Sequence, residues 1–177
     1  IAWLIAEKRK KEAREFVKEA EEHLEKMIEH NGEWARAHAM LGAIYGFKVG
    51  LDPYKAVVFG RRSFDENNLA LEMAPNDPQV WMEKANIELY KPSIFGDNSL
   101  EAMHMYQKAV TLYEKNPEKL QYNWLYLNTL SGLATAAIKA GEYDVADNAY
   151  RKILGKAPDF KWIRDEVYPA FRAKYMQ

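Results

Sequence analysis

Ala70-Leu-Glu-Met-Ala-Pro75-Asn-Asp77-Pro78 is the stretch that shows how the chain is organised. An apolar helix face ends near Met73 and Pro75 stops it. Asp77 then offers an N-cap, and Pro78 fits the first position of a new helix. Tyr150-Arg-Lys-Ile-Leu-Gly-Lys-Ala-Pro158-Asp159 closes another helix with similar punctuation. Two helices ended alike point to a repeated helical hairpin. Arrays of such hairpins build extended surfaces that bind other molecules.

Upstream of that stretch, residues from about 3 to 30 read as one long helix. Ala13, Phe16, Val17, Ala20, Leu24, Met27 and Ile28 recur at three- and four-residue steps on one face. Asn31-Gly32 is a natural stop. The basic run Lys8-Arg-Lys-Lys11 opposes the positive end of a helix dipole, so the helix is expected to begin further upstream. A second helix is expected over Trp34 to Phe47, and a third from the turn Gly50-Leu-Asp52-Pro53 to Met73. Downstream, a helix from Pro78 to Tyr90 is followed by the loop Lys91 to Asp97. Asn98 with Glu101 suggests a capping box for a helix ending near Lys115. Asn116-Pro117 opens a segment whose main helix runs to Ala140, and Gly141-Glu-Tyr-Asp144 turns into a helix ending near Lys156. The last helix opens at Asp159, carries Phe160, Ile163, Val167 and Phe171 on one stripe, and is kinked or broken at Pro169. No segment alternates like a strand, so an all-α chain is expected.

The 177 residues fit one domain, able to bury roughly 70% of the unfolded surface. A formal net charge of −1 gives no field that would draw the chain onto nucleic acid, and no nucleic-acid partner is expected. The absence of cysteine removes disulfides, thiolate metal sites and a cysteine nucleophile together. No apolar run approaches the roughly 20 residues that span a bilayer, so no membrane insertion of this segment is expected. Ile1-Ala-Trp-Leu-Ile-Ala6 is apolar, but charges from Glu7 onward end it. Because the chain starts at Ile1, an upstream segment is expected, and a signal peptide is one form it can take.

The tetratricopeptide signature pairs a large residue, Leu-Gly and Tyr on one helix with Ala, an aromatic and a small residue on the next, before Pro. This chain resembles that family at Leu41-Gly42-x-x-Tyr45, with Ala70 and Pro75 on the partner helix. It does so again at Trp81-x-x-x-Ala85 with Ala102-x-x-x-Tyr106-x-x-Ala109. The third place is Leu130-x-x-Leu133-Ala134 with Ala146-x-x-x-Tyr150 and Pro158. Ala13-x-x-x-Val17-x-x-Ala20 looks like the second helix of a further hairpin. The first two hairpins exceed the usual length of about 34 residues through insertions near 47–55 and 91–98, and Ala137 stands where the family prefers Tyr. The resemblance implies a right-handed superhelical stack of about three antiparallel hairpins in a single domain, 1–177. Its parts would be a first helix in 1–31, hairpins at 34–75, 78–115 and 118–157, and a terminal helix at 159–176. Tyr45-Gly46, Ala85, Pro92-x-x-Phe95-Gly96-Asp97 and Ala157-Pro158-Asp159-Phe160 look like a bacterial, envelope-associated subgroup, which implies a periplasmic or envelope setting ahead of a cytoplasmic one.

In such arrays the first helices line a concave groove whose polar side chains grip a peptide. Carried over position by position, the resemblance implies Arg36 from the first hairpin, and Gln79, Met82, Asn86 and Tyr90 from the second. The third supplies Asn128, Ser131, Thr135 and Lys139. Asn86 falls where chaperone-binding members hold a terminal carboxylate. Met82, Asn128 and Ser131 replace the flanking basic residues of that clamp, so chaperone C-termini are not the expected ligand. The plainer alternative is that these side chains are simply solvated. Loop 92–97 is expected to pack Phe95 on the core, with Gly96 and Asp97 making the turn.

Glu101-x-x-His104 has a di-iron carboxylate spacing, but such sites need a second copy and two further Glu, so no metal or cofactor is expected. His23 and His30 read as solvent-facing. No phosphate loop, serine elbow or zinc helix motif is present, and no enzymatic role is expected. Trp124, Tyr126, Trp162, Tyr168 and Tyr175 gather towards the end of the chain, where the last helix either caps the stack or offers an association surface. The expected function is a protein-interaction module or scaffold, monomeric or weakly self-associating, that binds a protein or peptide. The alternative is a small-ligand-binding protein or enzyme with a pocket between the inserted loops.

Overall fold

A computed structural model describes residues 7–92 and 96–176. The described residues are all-helical, with eight α-helices: α1 (Lys10–His30), α2 (Ala35–Leu51), α3 (Ala56–Met73), α4 (Pro78–Tyr90), α5 (Ser99–Tyr113), α6 (Trp124–Ala140), α7 (Tyr143–Lys156) and α8 (Tyr168–Tyr175). The chain divides into two compact units, and the division falls between Asn76 and Asp77, inside the punctuation quoted above.

In the first unit α1 packs on α2, and α2 on α3. Ala13, Val17 and Leu24 of α1 meet Ala37, Leu41, Ile44 and Tyr45 of α2 in one apolar core. Phe16 and Met27 sit on the flank of the α1 stripe and are exposed, unlike the other members of the pattern. The α2–α3 pairing is antiparallel: Asn67 Nδ2 donates to Ala39 O at 3.4 Å, Ser63 Oγ donates to Gly42 O at 2.7 Å, and Tyr45 stacks on Phe59 at 6.4 Å. Gly42 makes this approach possible. A Cβ there would lie 1.8 Å from Asn67 Nδ2 and 2.9 Å from Ser63 O.

Two ends differ from expectation. α1 starts at Lys10, where Arg9 and Glu12 pair at 2.5 Å across its first turn; the reading of Ile1 to Ala6 lies outside the described residues. α2 continues to Leu51, one turn beyond Phe47. Its stop is Asp52, which takes φ −138° because the following Pro53 disfavours helical backbone.

In the second unit α5 runs antiparallel to both α4 and α6. Tyr106 meets Asn86 of α4, while Asn98, just before α5, meets Glu88. On the other side Tyr126 Oη donates to Glu114 Oε1 at 2.7 Å, and Tyr113 packs edge-on to Tyr126 at 5.8 Å. α4 and α6 therefore lie parallel, each against α5. α7 turns back along α6 through Gly141, whose left-handed φ of 81° suits glycine. Tyr106, Tyr126, Leu130, Ile153 and Ile163 are completely buried in the core. Asp77 caps α4 by accepting from Gln79 N–H at 2.9 Å, as expected.

The start of α5 corrects one expectation. Asn98 makes no side-chain cap; Asp97 Oδ1 accepts from Ser99 N–H at 2.9 Å instead. The Asn98 amide instead donates to Glu88 Oε2 on α4 at 2.9 Å and to the nearby Glu101 Oε2 at 3.3 Å. The terminal helix likewise widens before its proline rather than at it. Trp162–Val167 forms a π-helical turn, with Tyr168 N–H bonding Ile163 O, and Pro169 enters the first turn of α8. α8 covers α7: Tyr168 Oη donates to Asp147 Oδ1 at 2.8 Å, and Phe171 lies 5.3 Å from Tyr150. Trp124 and Trp162 stay exposed, and Tyr126 is buried.

Candidate binding face

The second unit brings together eight of the nine expected groove residues, all on α4 and α6. Arg36 belongs to the first unit, exposed near the start of α2. Two contacts fix the register of the parallel helices. Asn128 Nδ2 donates to Met82 Sδ at 3.7 Å, and Lys139 Nζ donates to Leu89 O at 3.4 Å. Lys139 also lies 5.5 Å from the ring centre of Tyr90, itself mostly exposed. Between these ends lie Asn86 on α4 and Ser131 and Thr135 on α6.

Not every expected residue reaches solvent. Met82 is 2% exposed and belongs to the core, so it supports Asn128 instead of offering a surface. Gln79, Asn86, Ser131 and Thr135 are half-buried; Asn128, Tyr90 and Lys139 are exposed. Ser131 Oγ donates to Leu127 O at 3.0 Å and Thr135 Oγ1 to Ser131 O at 2.9 Å, so each hydroxyl spends its proton on its own helix and retains its acceptor capacity.

Three residues that the sequence pattern did not single out for this face build its floor. Tyr106, on α5, is 1% exposed, and its hydroxyl donates to Asn86 Oδ1. Gly132 lets it in: a Cβ there would sit 2.4 Å from Tyr106 Cε1. Asn86 Nδ2 in turn donates to Glu83 Oε2 at 3.1 Å. Burial raises the pKa of the Glu83 carboxyl, and the Asn86 bond only partly offsets this. Burial also pushes the Tyr106 hydroxyl well up, with Tyr90 and the Glu83 carboxylate adding to it.

Behind the face, Lys84 and Glu88 form a buried ionic cluster with Lys91. Glu88 Oε2 lies 3.1 Å from Lys91 Nζ, and Glu88 Oε1 lies 3.9 Å from Lys84 Nζ. Burial lowers the Lys84 pKa, and Glu88 pulls against it. The i,i+4 spacing of Lys84 and Glu88 was a visible signal for this pair. Gly96, with φ 89°, and Asp97 make the turn into α5, while Phe95 lies outside the described residues.

Among the described residues no three His, Asp or Glu side chains gather as metal ligands, and His104 is exposed. None of the described helices is long and apolar enough to cross a membrane. A depression of about 380 Å³ near Gly141, Tyr143, Asp144 and Tyr175 is largely open to solvent. No protein-family model matches the chain, and comparison with curated proteins gives no match.

Proposed function

We propose that the chain is a protein-interaction module of tetratricopeptide-like hairpins, acting by binding and not by catalysis. In this reading α4–α5 and α6–α7 are consecutive hairpins of a right-handed stack. An extended peptide or a partner's surface segment docks along α4 and α6. The observation that carries it is the parallel placement of α4 and α6, locked at Met82–Asn128 and Leu89–Lys139, with polar side chains lining the strip between. Parallel neighbours leave a continuous shallow furrow, which suits an extended chain better than a compact small molecule.

The test is selection of random peptides displayed on phage against the intact chain, followed by titration of the enriched peptides. Changing Asn128→Ala and Thr135→Val together should weaken them about tenfold, because both side chains face the furrow and neither holds the core. Enriched peptides indifferent to that pair, or no enrichment at all, would overturn the proposal.

A further inference from the structure

We infer that this furrow recognises a basic side chain, lysine or arginine, of the docked peptide, and that Glu83 is its seat. The inference rests on the peptide-binding reading above and names the chemistry of what is bound. Its basis is the direction of the hydrogen bonds. Tyr106 gives its proton to Asn86, and Asn86 gives an amide proton to Glu83, so the relay ends on a carboxylate. No lysine or arginine among the described residues lies within ion-pair distance of Glu83. On α6, Ser131 and Thr135 direct their protons to their own helix, and Asn128 directs one to Met82. The hydroxyl protons of Tyr106, Ser131 and Thr135 are thus spent within the fold, and Asn86 is the one side chain that donates to Glu83 among the described residues.

The nearby cations do not fill that need. Lys139 is held at the far end by Leu89 O and the Tyr90 ring. Lys84 joins Glu88 in the separate buried cluster. A partly desolvated carboxylate with one amide donor favours an ammonium or guanidinium, which supplies charge and several donors at once. A peptide carboxylate would meet repulsion at the same place, so an acidic terminus is the disfavoured ligand.

The experiment uses the peptides selected on the intact chain. The enriched sequences should share a Lys or Arg, and replacing it with norleucine should weaken binding about tenfold. Glu83→Gln, which keeps shape and hydrogen-bonding capacity, should cause a similar loss. Combining the two changes should add little, because both remove one interaction. On the unmodified protein, carbodiimide treatment of the complex should couple the peptide lysine to Glu83, read by mass spectrometry. That result does not depend on a variant folding. Peptides without a shared basic residue, a norleucine penalty unchanged in Glu83→Gln, or coupling only at other carboxylates would overturn the inference. If Asn128→Ala with Thr135→Val still weakens binding in such a case, the docking furrow stands and only its cation seat is lost. Binding indifferent to all these changes removes both.

Discussion

The α2–α3 contact of the first unit and the α4–α5–α6 contact of the second solve one packing problem in opposite ways. Each needs a glycine where two helices come too close for a side chain. Beside Gly42 the space is taken by polar groups: Ser63 Oγ donates to Gly42 O, and Asn67 Nδ2 divides its donors between Ala39 O of α2 and Ser63 O of its own helix. His38, 6% exposed, adds a further closed pair, with Nδ1 at 2.6 Å from Glu66 Oε2 and Nε2 at 3.1 Å from Gly32 O. Beside Gly132 the space is taken by the ring of Tyr106, and the polar chain it starts runs outward to a half-buried carboxylate. Polar groups joined to partners within the fold are structural. Polar groups whose chain of bonds ends at a surface acceptor retain capacity for something else.

The sharpest way to break this contrast is at His38. Both its ring nitrogens lie within hydrogen-bond distance of oxygens, so His38→Ala removes the side chain that ties Glu66 to Gly32 O and opens a cavity. A loss of about 3 kcal/mol is expected in denaturant unfolding, with faster amide exchange confined to α2 and α3. Exchange accelerating equally in α6 would show that the units do not unfold separately.

Next come the two glycines. Gly42→Ala and Gly132→Ala each gain about 1 kcal/mol of helix propensity but overpack a filled site, for a net loss of about 2 kcal/mol. Gly60→Ala is the control in α3, since a Cβ there meets nothing within 4 Å. It should stabilise by about 0.5–1 kcal/mol. Thermal melts of the three variants that shared one sign would refute the close-approach argument.

Tyr106→Phe is the mildest change and separates the two roles of that ring. The ring still fills the core, so only the hydroxyl bond to Asn86 is lost, about 1 kcal/mol in chemical unfolding. The loss should appear in α4–α6 exchange and leave α2–α3 unchanged.

How far the sequence reveals this depends on the range of each interaction. Helix ends set by neighbours in the chain were readable: Asp77 and Pro78 open α4, and Gly141 ends α6. Small residues at Gly42, Ala85, Ala102 and Ala134 marked close helix contacts, and all four are buried. What failed to show was set by distant partners. Asn98 matched a cap by spacing, yet Glu88 on α4 draws its amide away. Met82 shared the periodicity of the expected groove residues, but α6 packs over it. Glu83 looked like any surface glutamate, because its desolvation comes from packing in the folded unit.

The π-helical turn at Trp162–Val167 also holds spare length. Such a turn winds one more residue into about the rotation of an α-helical turn. Losing one residue there would let the turn tighten to regular α-helix, with Tyr168, Phe171 and Tyr175 still directed at Tyr150 and Tyr143. A deletion inside α8 has no such reserve, because each α-helical residue turns the chain by about 100°. The aromatic seal over α7 therefore tolerates a shorter chain before Tyr168 and not after it.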